Sequence, residues 1–142
     1  MPRNHKGLVT MNITVHRGTH QIGGSAIEIS TTSTRIVFDF GNELSLEEQY
    51  IPTRLDIDGV TGGKLNCDGI VISHYHMDHL GQLTSALPEI PLYMGELSKE
   101  VAMIATEHQD KDLYLRLLDA NIFRGGEAFT IGNIHIRPLV ID

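Results

Sequence analysis

The chain has 142 residues, and 41% of them are hydrophobic, which suits one compact domain with a buried core and excludes wholesale disorder. Its 11 Lys and Arg residues against 18 Asp and Glu residues give a formal net charge of −7. That balance argues against a generic nucleic-acid-binding surface, which is normally basic. A nucleic-acid substrate stays open, because bound metal ions would add positive charge that this count omits.

Several sequence features bear on where the protein resides. Cys67 is the only cysteine, so no internal disulfide can form, which fits a reducing cytosol. No segment approaches the roughly 18 consecutive apolar residues of a membrane span. The basic start at residues 1–6 is not followed by the apolar run of a signal peptide. We therefore expect a cytoplasmic protein without membrane contact, with a disordered segment at 1–10 before one domain at 11–142.

Alternating apolar and polar residues predict β-strands in the first 40 residues. The predicted strands are 11–16, 26–29 and 35–40, and glycine pairs and Ser/Thr-rich turns separate them. Short connections of this kind favour an antiparallel meander. The following segment, 42–66, is polar and irregular, and a loop of this length in a compact domain is usually functional or mobile.

The rest of the chain alternates strand-like and helical segments. The predicted strands are 69–73, 91–94, 121–123, 128–131 and 134–141. The predicted helices are 80–87, which Pro88 ends, and 96–118, whose polar middle at 107–112 favours a break into two. We expect an α+β fold in which helices pack on one face of a mixed β-sheet. Residues 70–72 are all apolar, so this strand has apolar side chains on both faces of the sheet. The sheet face opposite the helices should therefore also be apolar, and something must cover it.

Four residues able to bind a metal fall within six positions, directly after the predicted strand 69–73. They are His74, His76, Asp78 and His79. Zinc prefers nitrogen ligands and accepts carboxylate oxygen, and a tight loop could seat two ions about 3.5–4 Å apart. A solvated, His-rich turn with adventitious metal affinity is the alternative interpretation. The position of the motif between a buried strand and a Leu-rich helix favours a metal site.

At this point the sequence resembles a known family. The segment 73–81, which reads SHYHMDHLG, resembles the signature of the metallo-β-lactamase superfamily. Residues 18–28 and 37–41 are similar to the opening of its ribonuclease J-like, β-CASP branch, and residues 137–142 to the strand that leads to its third metal-binding His. The resemblance runs roughly from residue 11 to residue 142. It implies the N-terminal half of an αββα sandwich.

The resemblance implies a role for each residue of the motif. His74 and His76 would bind one zinc ion, and Asp78 and His79 a second. Asp78 would also orient the nucleophile. Asp39 would steady the metal loop (residues 73–79) by hydrogen bonds to the ligands. Without the resemblance, Asp39 could equally be a strand-ending residue that caps a turn. The implied reaction is zinc-dependent hydrolysis of an ester, amide or phosphodiester, with RNA as the substrate in the ribonuclease J-like branch.

The family uses more ligands than these 142 residues supply. A third His, a bridging Asp, a last His and the β-CASP insertion have no counterpart. We therefore expect a truncated hydrolase, weakly active or inactive alone, that would be completed by a missing C-terminal half or a homodimer. The alternatives are a non-catalytic module that self-associates through an apolar sheet face, and a structural metal-binding domain with a saturated four-ligand site. Five other histidines are not expected to bind metal: His5, His16, His20, His108 and His135. His20, which lies in the glycine-rich loop, is the best candidate among them.

Overall fold

The computed structural model describes residues 9–47 and 49–139, so residues 1–8 of the predicted N-terminal segment lie outside the described part. Six strands form the main sheet: β1 (Asn12–Arg17), β2 (Ala26–Ser30), β3 (Arg35–Phe38), β4 (Gly69–Ile72), β5 (Leu92–Gly95) and β6 (Asn121–Phe123). A separate hairpin consists of β7 (Phe129–Ile131) and β8 (Ile134–Ile136). The described residues also form three α-helices: α1 (Met77–Leu80), α2 (Glu96–Thr106) and α3 (Lys111–Leu118). In the part of the chain that the structure describes, no helix is long and apolar enough to cross a membrane.

The main sheet is mixed, with the strands in chain order. β1, β2 and β3 pair antiparallel, which confirms the predicted meander. β3, β4, β5 and β6 then pair parallel to one another. The carboxyl ends of β3 to β6 therefore meet at one edge of the sheet. The loop with the four candidate ligands follows β4 at this edge.

Both faces of the sheet are apolar, as the sequence predicts. Ile70, Ile72 and Met94 are buried in one cluster with Leu113 and Leu117 of α3, so the helices cover this face. A second cluster on the other face has Ile36 and Val71 at its centre, with Ile131 and Ile134 of the β7–β8 hairpin packed over them. The prediction of a mixed sheet with helices on one face is confirmed.

The hairpin does not cover the whole second face. The strand registers place Val15 and Ile27 in one row with Phe38 and Val71, so these side chains share the hairpin face. Ile13, one residue pair further along β1, is 66% exposed, and Val15 is 45% exposed. β1 is also an edge strand of the sheet.

The predicted helix 80–87 is wrong. The chain instead forms the one-turn helix α1, which starts inside the metal loop, and then a 3₁₀ turn at Leu83–Ser85. Leu80 and Leu83 are both fully buried, and their spacing of three suits a 3₁₀ turn as well as an α-helix. Leucine spacing alone therefore could not distinguish the two conformations.

Two other boundaries follow local chemistry. The polar middle of the predicted helix 96–118 does break it, and the Asp110 carboxylate accepts a hydrogen bond from the backbone N–H of Leu113 at 3.1 Å to cap α3. Within the described part of the predicted strand 134–141, only β8 forms and it ends at Ile136, and residues 140 and 141 lie outside the described residues. Pro138 lies just beyond, and proline cannot donate a hydrogen bond to a β-ladder.

Candidate metal centre

The metal loop is held from behind by two neighbouring loops. α1 has a single turn, so most of its carbonyl groups lack a partner within the helix. The carbonyl oxygens of Asp78 and His79 instead accept hydrogen bonds from the backbone N–H groups of Gly24 and Phe40, at 3.0 and 2.7 Å. The Met77 carbonyl oxygen accepts from Gly81 at the helix end and also from Asn42 at 2.9 Å. The loops that follow β1 and β3 therefore fix the backbone of the metal loop.

Gly41 allows this close approach. A Cβ atom built on Gly41 would overlap the carbonyl oxygen of Asp78. The sequence suggested only that Gly41 ends a strand. Its position against the backbone of Asp78 requires a residue without a side chain.

The four candidate ligands lie together, and the atoms that could bind a metal form two close pairs. His74 Nε2 lies 3.2 Å from His76 Nδ1. Asp78 Oδ2 lies 3.3 Å from His79 Nε2. Zn–N bonds of about 2.0–2.1 Å in a tetrahedral site place neighbouring donor atoms about 3.3 Å apart. The two pairs are adjacent, because the rings of His74 and His79 have centroids 4.0 Å apart.

The donor set suits zinc, but neither pair completes a site. Imidazole nitrogen and carboxylate oxygen are ordinary zinc ligands, and zinc sites in proteins use three or four of them. Within residues 9–47 and 49–139, no three His, Cys, Asp or Glu side chains are arranged to hold one metal ion. The two short distances agree with this finding, since the first joins only His74 to His76 and the second only Asp78 to His79. The arrangement offers two half-sites.

Asp39 lies behind both pairs and occupies an unusual backbone conformation. Its φ of 57° is in the left-handed region, which only a small fraction of non-glycine residues adopt. One carboxylate oxygen accepts a hydrogen bond from the backbone N–H of Ser73 at 2.8 Å. The other accepts from the Ser73 hydroxyl at 2.9 Å and from His79 Nδ1 at 2.7 Å. Asp39 thus joins the end of β3 to the start of the metal loop and to one candidate ligand.

The surroundings of His74 favour its neutral form. Burial lowers the pKa of His74 below its ordinary value, and the neighbouring rings of His79 and His76 lower it further. A lowered pKa keeps the imidazole neutral, and only neutral imidazole binds a metal. His76 is exposed, whereas His74, Asp78 and His79 are half-buried.

The other histidines are placed elsewhere. His16 Nε2 lies 2.8 Å from a carboxylate oxygen of Glu28, and His135 Nδ1 lies 3.2 Å from the Thr130 hydroxyl. The His108 side chain is 86% exposed. His20 is exposed in the loop after β1, and His5 lies outside the described residues.

Two residues at this centre were assigned no role from the sequence. Arg17 donates hydrogen bonds to the carbonyl oxygens of Gly24 at 2.9 Å, Thr53 at 2.6 Å and Gly41 at 2.5 Å, so it joins the loop after β1 to two parts of the loop after β3. Ser73 contacts both Asp39 and His74 through its hydroxyl. An arginine at a strand end and a serine beside a histidine carry no local signal. Their roles depend on contacts with residues that are distant in sequence.

The chain is similar to curated ribonucleases and to solved structures, as follows. No family model matches the chain. The chain is 28% identical to ribonuclease J of Helicobacter pylori over 151 aligned positions, which cover 98% of this chain and 21% of that protein. It is 32% identical to RNase aCSPSF2 of Saccharolobus solfataricus over 111 positions, which cover 74% of this chain and 20% of that protein.

The chain is a relative of ribonuclease J in the metallo-β-lactamase superfamily. The chain spans about a fifth of the length of these curated relatives, 21% and 20%, and matches their N-terminal part. A Thermotoga maritima structure with a proposed metallo-β-lactamase assignment superposes with a TM-score of 0.54 at 17% identity, over 84% of this chain and 62% of that one. An Enterococcus faecalis protein of unknown function superposes with a TM-score of 0.70 at 20% identity, over 89% of this chain and 36% of that one. At these identities the structural matches establish the fold alone.

Proposed function

We propose that this chain carries the ligand loop of a zinc-dependent hydrolase that cleaves phosphodiester bonds in RNA. The observation that carries the proposal is the pairing of donor atoms, His74 with His76 at 3.2 Å and Asp78 with His79 at 3.3 Å. Each pair has the spacing of neighbouring ligands on tetrahedral zinc. The loop lies at the carboxyl edge of parallel strands, where ligand sites of open α/β sheets are usual.

In this proposal each residue has a separate task. His74 and His76 bind one zinc ion, and Asp78 and His79 bind a second. When bound, zinc acidifies water and stabilises the negative charge that develops on the attacked group. The second carboxylate oxygen of Asp78 accepts a hydrogen bond from the attacking water and orients it. Asp39 accepts a hydrogen bond from His79 Nδ1, which would leave Nε2 of that ring free to bind an ion.

The substrate class rests on the relatives. The two curated proteins named above both carry names that identify them as ribonucleases, and the aligned part of each includes most of this chain. The net charge of −7 gives RNA binding no support of its own. We propose RNA as the substrate because metal ions at the two pairs would supply the local positive charge.

We infer that this chain alone binds zinc weakly and has little or no hydrolytic activity. Each pair supplies two protein ligands, whereas a catalytic zinc site uses three and a structural site four. The remaining ligands would come from a C-terminal half or from a second copy of the chain.

Zinc binding tests the proposal most simply. His76→Ala should remove the zinc held by the first pair with little change in thermal unfolding, because His76 is exposed. His108→Ala is the matched control, since His108 is also exposed and its ring lies beside the Glu107 carboxylate, at 3.8 Å. Any zinc-dependent cleavage of labelled RNA should disappear in His76→Ala and persist in His108→Ala. Equal zinc binding by the two variants would reject the proposed ligand, and cleavage by His76→Ala would reject the proposed site.

A second candidate function is self-association without catalysis. The observation that favours it is the uncovered apolar surface on the edge strand β1, where Ile13 and Val15 are 66% and 45% exposed. Exposed apolar patches often mark interaction sites, and pairing of such faces gives a symmetric dimer. Sedimentation equilibrium would detect the dimer, and Ile13→Asp should dissociate it. A wild-type chain that stays monomeric over the accessible concentration range would reject this function.

A further inference from the structure

The Ser73 hydroxyl lies at the centre of the contacts behind the metal loop. Its Oγ is 2.9 Å from Asp39 Oδ2 and 2.9 Å from His74 Nδ1. A third contact, to His79 Nδ1, is long at 3.4 Å, and that nitrogen has a closer partner in Asp39 Oδ2 at 2.7 Å. The two short contacts therefore define the hydrogen bonding of Ser73.

Each proton in this group can be assigned from the donor and acceptor capacity of the side chains. A carboxylate only accepts, so the single hydroxyl proton of Ser73 must point to Asp39. With its proton used there, Ser73 Oγ can only accept from His74, and the Nδ1 of His74 must carry a proton. The reverse assignment would set two acceptor oxygens 2.9 Å apart without a proton between them.

We propose that Ser73 is a positioning residue that holds His74 in the tautomer protonated on Nδ1, with Nε2 free to bind a metal. Asp39 acts directly on His79 in the same way, because it accepts from Nδ1 of that ring. Through Ser73, one carboxylate thus orients one histidine of each pair. The inference deepens the proposed function and rests on it, since the free Nε2 of His74 lies 3.2 Å from His76 Nδ1, the other candidate ligand atom of the first pair.

The effect can be separated from a structural role of Ser73. The backbone N–H of Ser73 donates to the other oxygen of Asp39 at 2.8 Å, and Ser73→Ala keeps that bond. Ser73 is exposed, so the substitution removes the hydroxyl without opening a buried cavity. Ser73→Thr keeps the hydroxyl and serves as the conservative variant. His79 provides an internal control, because its Nδ1 proton is held by Asp39 and not by Ser73.

The first arm of the test reads the tautomers in the metal-free chain. Long-range ¹H–¹⁵N NMR spectra of ¹⁵N-histidine-labelled protein, recorded at alkaline pH where the rings are neutral, distinguish protonated from unprotonated ring nitrogens. We expect His74 to carry its proton on Nδ1 in the wild type and in Ser73→Thr, and to shift toward Nε2 in Ser73→Ala. His79 should stay protonated on Nδ1 in all three proteins. A wild-type His74 protonated on Nε2 would overturn the proposal, and so would a change at His79 in Ser73→Ala, which would indicate general loss of loop structure.

The second arm measures zinc affinity of the same three proteins. We expect about a tenfold loss in Ser73→Ala and near wild-type affinity in Ser73→Thr, because groups that orient a ligand typically change metal affinity tenfold or more. Zinc binding that is equal in all three would overturn the role of Ser73 while leaving the proposed function standing. A wild type that binds no zinc but has the expected tautomers would overturn the proposed function and leave the assignment of the protons intact.

Discussion

Replacement of Asp39 by asparagine isolates the charge behind the metal loop. The carboxylate accepts three hydrogen bonds, two from Ser73 and one from His79. An amide has one acceptor oxygen, so whichever way it is oriented, its NH₂ group faces at least one of these donors. Asparagine also tolerates the left-handed φ of 57° at this position, so Asp39→Asn adds no backbone strain, whereas Asp39→Ala would.

The expected size of the effect follows from these contacts. A hydrogen bond to a charged group contributes about 1.5–3 kcal/mol. The side chains of Asp39 and His79 are only 13% and 23% exposed, so solvent screens their interaction little. We take about 2 kcal/mol for the lost orientation of His79, which corresponds to roughly 30-fold weaker zinc binding at about 1.4 kcal/mol per factor of ten.

Competition with a fluorescent zinc chelator would measure this loss. Glu107→Gln is the matched control, since it also converts a carboxylate to an amide and removes one negative charge, but beside the exposed His108. The control should bind zinc as the wild type does. Wild-type affinity in Asp39→Asn would refute the reasoning and leave Asp39 as a turn residue only.

Two further substitutions test the packing and charge that support the site. Gly41→Ala should lower the free energy of unfolding by about 3 kcal/mol, because its Cβ would overlap the Asp78 carbonyl, whereas Gly62→Ala, which meets nothing within 4 Å, should change it by less than about 0.5 kcal/mol. Equal losses in urea denaturation would reject the close approach at Gly41. Burial opposes ionisation of Glu28, but hydrogen bonds from Arg35 and His16 outweigh it and hold the pKa of Glu28 below its ordinary value of 4.5. Its stabilising effect is therefore present above pH 4.5 and is lost as the pH falls through the lower folded-state pKa, so Glu28→Gln should destabilise the chain at neutral pH and much less in acid. A difference that is the same in neutral and acidic urea titrations would contradict this assignment.

The fold could be predicted from the sequence where the signal is local. Alternating residues predict β1 to β3, and the polar segment 107–112 predicts the break between α2 and α3. The predicted helix 80–87 failed because Leu80 and Leu83 are buried by the core, and burial does not specify which helical form presents them. Tertiary packing decided the conformation there.

The candidate site could also be predicted only where its signal is local. The spacing of the motif after β4 predicts which residues could bind metal, because four suitable side chains within six positions must lie close together. The spacing does not predict which atoms face each other. That depends on Asp39, which contacts Ser73 and His79 at 34 and 40 residues along the chain. It also depends on Arg17, which contacts Thr53 at 36 residues along the chain. Contacts between residues this distant leave no periodic pattern in the sequence.

Zinc stoichiometry, measured by elemental analysis after equilibrium dialysis against increasing free zinc, tests the central claim that the loop holds metal as two pairs. The wild type should approach two zinc ions per chain, the number held by bimetallic hydrolases of this type. His76→Ala should then retain the zinc of the second pair, and Asp78→Asn the zinc of the first. One zinc per wild-type chain that disappears in both variants would instead indicate a single four-ligand site and would contradict the account.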